Sequence, residues 1–445
     1  MRSRFRLRDL RDYPSAIAGA AIILLLFLVA IVTLIALPYE RAVALWRGGE
    51  GVWLDNPRNA RPAWYNVLPW VDLPRTIVLD SREGQVEKTR EAGEDITEIV
   101  MDFTFDYSWE SFPQEVTLNL FGTYEENVPY VDLTWHTPDG RRIALGNQPA
   151  GTEEVVRLSQ DNRLTRRLGD RPAEIGLFMD VTAEEREIIP GEYRLEVEGY
   201  AFEPDSDIEA KLVVYGKVHG IAGTDHRRRD ISIALLWGTP TALAFGLVAA
   251  LGVGAATMII AAIGVWFGGW VDGLIQRITE IYLILPLLPL LIMIGTFYSR
   301  SIWVMLGVII IFSIFGASIK TYRSMFLQVR ESPYIEAARA YGAGGGRIIF
   351  RYMIPRILPV LIPNFVVAIP TFVFLEATLA ALGLGDPVLP TWGKVLDDAR
   401  TNGALYNGHY YWMIQPAVLL MLTGLGFAML GFALDRIFNP RLREI

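Results

Sequence analysis

Six long apolar stretches punctuate this chain, and between the first two lies a segment of different texture. The first stretch, Ala16 to Leu37, runs 22 residues without a charge. As a helix it is about 33 Å long, enough to cross a hydrocarbon core of roughly 30 Å. The others lie near 232–266, 281–297, 302–319, 356–384 and 411–434. Each predicts a membrane-spanning helix, although Pro286 and Pro289 interrupt the third and argue against a straight one. Five arginines (Arg2, Arg4, Arg6, Arg8, Arg11) precede the first stretch. A cleaved signal peptide also begins with a basic region, but this apolar run exceeds the usual ~7–15 residues and no convincing small-residue cleavage site follows. A retained anchor is expected.

Residues 38–220 follow another period. To about residue 93 they are rich in Pro, Trp, Gly and charge without clear alternation. From Thr97 onward short runs alternate apolar and polar: IVMDFTFDY, EVTLNLFG, YVDLTW, EIGLFMDV, YRLEVEGYAF and EAKLVVYGKV. Pro138-Asp139-Gly140 and Pro190-Gly191 supply turn chemistry between them. The spacing predicts six to eight strands in an antiparallel β-sandwich, with the segment GEYRLEVEGYAFEPDSDIEAKLVVYG as one of its hairpins.

Charge sharpens the division. Residues 38–220 hold 35 of the 49 acidic and 19 of the 41 basic side chains, a net of −16, so the remainder carries +8. An apolar, basic body with an acidic insert predicts membrane helices plus a solvated domain. The 445 residues exceed one ordinary domain. The expected division is an N-terminus and first helix at 1–37, the insert at 38–220 (β-rich from about 95) and a five-helix core at 221–445. Cysteine is absent, which excludes disulfides and thiolate metal sites.

Lysine and arginine in short loops set the orientation. Seven such residues, from Lys320 to Arg356, lie between the fourth and fifth stretches, and Arg436, Arg441 and Arg443 follow the sixth. The intervening short loops hold only Arg300, and Lys394 with Arg400. Both termini and the loop 322–356 are therefore expected in the cytoplasm. Arg227, Arg228 and Arg229 break the pattern just before the second stretch, but they follow a long translocated segment, where the charge rule has little force.

No GxxxxGK[ST] phosphate loop occurs, and Gly344-Gly345-Gly346 is followed by Arg347. His136, His219, His226 and His409 are scattered without metal-ligand spacing and read as surface or structural residues. No catalytic constellation is apparent, so any ATP hydrolysis must belong to another chain. The informative loop is ESPYIEAARAYGAGGGRIIFRYMIPRILP. Ser332 before Pro333 marks a helix start, Glu336 suits the first turns, and Gly342 suits a left-handed close. A short helix over 333–341, a glycine turn and a second helix are predicted. Such a polar knob suits either docking on a soluble partner or lying at the membrane surface.

Here the sequence resembles a known family. Glu336-Ala337-Ala338, three residues, Gly342, twelve residues and Pro355 are similar in spacing to the EAA loop of binding-protein-dependent ABC importer permeases. GTDHRRRD at 223–230 resembles the GTD-x-x-GRD signature of the dipeptide/oligopeptide/nickel group, C-type subunit. GGWVDGLIQRITEIYLILP (268–286), EATLAALGLG (376–385), PTWGKVLDDAR (390–400) and the terminal NPRLRE are similar to it as well. The resemblance covers about 221–445 and the first apolar stretch. Arg228 stands at the family's glycine, Gly344 and Gly345 replace Ser/Asp-like residues, and Ile354 replaces a leucine.

The expected fold is a mainly α-helical polytopic membrane protein of six transmembrane helices with an inserted extracytoplasmic β-sandwich-like domain. The insert, longer than the family's stretch there, is the main departure from the resemblance. The resemblance itself implies the plasma membrane of a prokaryote. It implies import of peptides or similar solutes. Pro333, Glu336, Ala337, Ala338, Gly342 and Pro355 would be the ATPase-coupling residues, the alanines letting the knob approach its partner closely. Implied partners are a B-type permease subunit, two ATPase subunits that bind ATP and Mg, an extracytoplasmic solute-binding protein and the bilayer. No nucleic acid, metal or cofactor on this chain is implied. Glu376, inside the fifth apolar stretch, reads either as a pathway or gating residue or as a helix-packing carboxylate, the second being preferred. A secondary transporter, a membrane-anchored sensor and an enzyme compete with the permease reading; the EAA segment argues against the first two, and the missing catalytic set against the third.

Overall fold

The computed structural model describes residues 14–93, 96–183 and 186–438. The five N-terminal arginines and the NPRLRE run with Arg441 and Arg443 lie outside the described residues. The chain divides into two compact units, one spanning Gly48–Ser232 and one gathering the described residues up to Arg47 and from Ile233 onward.

The first unit is built on nine strands among the described residues: β1 (Ile77–Asp80), β2 (Glu87–Ala92), β3 (Thr97–Tyr107), β4 (Glu115–Thr123), β5 (Tyr130–His136), β6 (Arg142–Pro149), β7 (Glu154–Arg157), β8 (Gly191–Ala201) and β9 (Asp207–Tyr215). They form a four-stranded sheet, β1-β9-β4-β7, and a five-stranded sheet, β2-β3-β8-β5-β6. All pairings are antiparallel. Alternation explains the arrangement. In β3 and β8 every second residue is buried, including Met101, Phe103, Tyr193, Leu195 and Val197. These meet Val116, Leu118, Leu120, Leu212 and Val214 of the other sheet in one core. Phe105, Tyr107, Trp135, Phe178 and Tyr193 form its aromatic centre. Burial raises the Tyr107 and Tyr193 phenols well above their ordinary pKa. Both therefore stay protonated and donate, to Ser111 O and Ile189 O, each at 2.6 Å.

Three expectations are corrected here. The segment 191–215 is not a hairpin: β8 pairs with β3 and β5, whereas β9 pairs with β4 and β1 in the other sheet. Both strands carry an inward apolar face, so the intervening turn passes the chain across the core instead of folding it back within one sheet. EIGLFMDV forms no strand; Ala173–Gly176 is a single helical turn after Pro172, with Leu177 and Phe178 fully buried. β1 and β2 lie in the stretch without visible period, because edge strands bury too little to impose one: β2 is exposed at nearly every position.

The second unit is helical: α1 (Pro14–Ala36), α2 (Tyr39–Arg47), α3 (Ile231–Phe267), α4 (Gly269–Ile284), α5 (Leu287–Phe297), α6 (Ile302–Ser313), α7 (Ser318–Arg330), α8 (Pro333–Ala340), α9 (Ile354–Leu379), α10 (Trp392–Thr401) and α11 (Tyr411–Phe438). Among the described residues, four helical runs are long and apolar enough to cross a membrane: α1, α3, the run Gly345–Leu384 that contains α9, and α11. Two bent pairs raise the number to six if each pair is one span: α4 with α5, bent by 79°, and α6 with α7, bent by 49°. The first bend falls where Leu285 turns extended before Pro286, the conformation a following proline imposes. Helix α4 also begins well before residue 281, so it carries the polar Asp272, Arg277 and Glu280 that hydropathy left in a loop.

Close approaches fix the bundle. A Cβ on Gly19 of α1 would lie 2.7 Å from the Gly426 carbonyl of α11, so only glycine admits this crossing. Ile23 and Leu26 of α1, Leu243 of α3, Val373 of α9, Trp392 of α10 and Phe427 of α11 share one core. The Trp392 indole donates to Leu235 O at 2.8 Å, which accounts for the tryptophan in PTWGK. Gly383, at φ +83°, ends the span in EATLAALGLG.

Candidate functional site

The knob predicted around residue 333 is present as α8. Ser332 occupies the position before its first turn, with Pro333 at the first helical residue. The Ser332 side chain does not cap, however: its hydroxyl is turned back to Gln328 O at 3.4 Å. Helix α7 ends only two residues earlier, and the serine satisfies that end instead. The close of α8 is as the glycine predicts. Gly342 has φ +80°, its N–H donates to Arg339 O at 2.8 Å, and Ala343 N–H donates to Ala338 O at 3.0 Å. These two bonds are the Schellman pair, which uses up carbonyls the helix leaves open.

Helical spacing sorts the side chains. Ile335 and Ala338, three apart, are buried in a core with Ala262 and Val265 of α3, Tyr322 and Phe326 of α7, and Ile348 and Met353 ahead of α9. Ala338 is thus small in order to seat α8 on its own subunit; of the two alanines, only Ala337 is presented outward, with Pro333, Glu336 and Gly342. Tyr334, Ala337 and Tyr341 line one outward face, and Tyr341 is 92% exposed. The tyrosines were not singled out in the sequence, yet the 3-then-4 spacing around Ala337 marks them. Pro355 stands apart, exposed in the first turn of α9.

The support beneath the knob comes from the α3–α4 corner. The Trp266 ring lies 4.4 Å below the Arg339 guanidinium. A Cβ on Gly345, the first residue of the turn that follows Gly344, would come within 2.5 Å of the same indole, so glycine there lets the turn sit against Trp266. Arg330 donates to Val265 O at 2.9 Å. Arg323 of α7 grips Asp272 of α4 with bonds of 2.5–3.1 Å. The knob is therefore a rigid extension of the bundle.

Glu376 lies on α9, about 30 Å along the helix from Pro355 by helical rise. It is buried, shares a hydrogen bond with the Thr391 side chain, and borders a void of 20 Å³ with Arg300, Met305 and Asp386.

The segment 223–230 packs in the sheet unit. Arg228 keeps the left-handed conformation of the glycine it replaces, with φ +65°. Its guanidinium donates to Glu115 Oε2 at 2.6 Å and Asn56 O at 2.7 Å, and lies 4.2 Å over the Tyr215 ring. Arg229 is paired with Asp225 at 2.6 Å. Two of the three arginines that seemed to break the charge pattern are thus buried and neutralised by carboxylates.

Comparison with known proteins agrees with this architecture. The family described as "Binding-protein-dependent transport system inner membrane component" matches residues 242–444. A dipeptide transport system permease protein of Alkalihalophilus pseudofirmus is 33% identical over 225 residues, which cover 50% of this chain and 72% of that one. A glutathione transport system permease protein of Pectobacterium atrosepticum is 30% identical over 226 residues, 50% of this chain and 73% of that one. A peptidoglycan transport system permease protein of Agrobacterium fabrum is 30% identical over 221 residues, 49% of this chain and 56% of that one. The family match takes in the knob, its supports and Glu376, whereas the strands fall outside it. With its multi-pass helical unit, this chain belongs to the binding-protein-dependent transport system inner membrane component family, as a permease subunit of the inner membrane.

Proposed function

We propose that this permease subunit forms half of the translocation pathway of an ABC importer for peptides, and that α8 is the element through which ATPase subunits drive it. The observation that carries the coupling is the knob itself, whose exposed Tyr334, Ala337 and Tyr341 face is held rigid by Trp266, Arg330 and the Asp272–Arg323 pair. Peptides enter from the names of the relatives. Pro333, Glu336, Ala337 and Gly342 would meet or shape the ATPase groove, Ala338 would seat the helix, and Pro355 would start the span behind it. Partners would be a B-type permease subunit, two ATPases holding ATP and Mg, and a solute-binding protein. Glu376 is assigned to helix packing, which its burial, its bond to Thr391 and the small void support. The test is ATP-dependent accumulation of a labelled dipeptide by proteoliposomes holding the whole complex and supplied with binding protein. Hydrolysis coupled to another solute, with no dipeptide accumulated, overturns the peptide reading.

In this reading each bent pair is one span, giving six, with both termini and 322–356 in the cytoplasm and residues 40–225 and 386–410 outside. The basic loop around α8 and the acidic sheet unit support that orientation. The chain has no native cysteine, so single introduced cysteines report cleanly. Thr104→Cys, on the exposed face of β3, is expected to react with a membrane-impermeant maleimide in intact cells, and Ala340→Cys only after permeabilisation. Labelling at position 340 from outside reverses the topology.

A further inference from the structure

At the break between α6 and α7 the helical unit holds a cavity of 470 Å³, reached by residues of α3, α6, α7 and α9. Its polar groups are Thr257, Ser313, Ser318, Thr321 and Asn364, with Phe365 and Phe372 as apolar walls. The break itself is part of the lining. Helix α6 stops at Ser313 and α7 starts at Ser318, with a 49° change of direction. Thr257 donates to the carbonyl of Ile314 within it at 2.8 Å. Interrupted backbone at membrane depth is stable only where protein covers it or where it borders a polar cavity. Asn364 makes the same point independently. It sits ten residues inside α9, is exposed, and its amide has no partner among the described residues. An amide facing lipid without a partner is strongly disfavoured, so this one must face either a polar pathway or another chain.

The lining also restricts what fits. Apart from the Tyr322 phenol, no described residue on the cavity is ionisable. A charged side chain brought here would find no counter-charge in the lining. Hydroxyls and one carboxamide, each able to donate and accept, match the N–H and C=O of a peptide bond, and the phenylalanines match apolar side chains.

We infer that this cavity is a cargo subsite that takes the peptide-bond amides and uncharged side chains of the solute, with Asn364 as its specificity-determining residue. The inference rests on the peptide-import reading and deepens it.

The test uses the whole complex in proteoliposomes with alanyl-alanine, alanyl-lysine and alanyl-aspartate as probes. Each variant is compared with wild type as a ratio of uptake rates, which cancels the binding protein's own selectivity. Asn364→Leu is expected to lower alanyl-alanine uptake about tenfold, the factor carried by one lost hydrogen-bonding partner. Asn364→Gln should restore most of it. Asn364→Asp should shift the alanyl-lysine to alanyl-aspartate ratio upward by about tenfold, by placing a carboxylate where none stands. Unchanged ratios in the leucine and aspartate variants overturn the subsite while leaving peptide import intact. Failure of Asn364→Leu to retain the second permease subunit also overturns it, making Asn364 an assembly contact. A wild-type complex that accumulates none of the three peptides removes the import reading itself, and this inference with it.

Discussion

Gly342→Val is expected to abolish solute uptake and to strip the ATPase subunits from the purified complex, while the permease remains in the membrane at normal abundance. The reason is conformational. Nothing lies within 4 Å of a Cβ built at this position, so there is room for a side chain. What valine lacks is φ +80°, the value at which Gly342 closes α8. Left-handed backbone costs a residue with a Cβ about 1–2 kcal/mol, and a β-branched one is the worst case. The spans do not depend on this turn, so the strain is relieved locally, by undoing the two Schellman bonds and re-aiming the last turn of α8. That turn carries Tyr341. A graded series checks the argument: Gly342→Asn should retain most uptake, Gly342→Ala less, and Gly342→Val less than a tenth. Tyr341→Ala should weaken ATPase retention without altering the turn, since a well-placed interface tyrosine contributes about 2 kcal/mol. Normal uptake with normal stimulated hydrolysis in the valine variant removes α8 from the coupling path.

Much of the knob was legible in the sequence because its signals are local. Proline at the first turn and glycine at the close each act within four residues, and the structure places both where the pattern did. What sequence could not show was which way the helix faces. Ala337 and Ala338 are adjacent and alike, yet one is presented outward and the other buried, and only the packing of Ile335 against the bundle decides it. The same holds for Trp266, whose role depends on Arg339 and Gly345 arriving above it from more than seventy residues away. In the sheet unit, alternation located β3, β4, β5, β8 and β9, since each carries a buried face. It could not tell hairpin from crossover for β8 and β9, because both topologies bury the same residues. Hydropathy located the apolar regions but not the bends. Averaged over a window wider than the breaks, it shows neither 285–286 nor 314–317; Pro286 signals the first, and the second carries no proline.

The GTDHRRRD segment shows how a departure from a family signature is absorbed, and it yields the largest expected loss of stability. Asp225 and Arg229 are 1% and 4% exposed and 2.6 Å apart. Asp225 Oδ1 also accepts the backbone N–H of Arg227 at 2.8 Å and of Arg229 at 2.9 Å, so one carboxylate organises the whole turn. Asp225→Ala removes a buried carboxylate that meets both the Arg229 guanidinium and two backbone N–H groups. Breaking a buried pair in this way costs about 3–5 kcal/mol, against a total stability of about 5–15 kcal/mol for a domain. The sheet unit of the full-length protein should lose most of its protection from hydrogen exchange in β4 and β9. Arg228→Gly is the instructive contrast. It returns the residue that φ +65° favours, gaining about 1 kcal/mol, but gives up the Glu115 ion pair and the Tyr215 stacking. Its net loss should be below that of Asp225→Ala, because Glu115, at 15% exposure, regains water more readily than the groups around Asp225. The double variant Asp225→Ala with Arg229→Met should recover part of the single loss, because it removes both members of the buried pair. If exchange in β4 and β9 is unchanged by Asp225→Ala, the turn is not what holds this edge of the unit. If the double variant is no better than the single one, the cost lies in the two backbone hydrogen bonds and not in the buried charge.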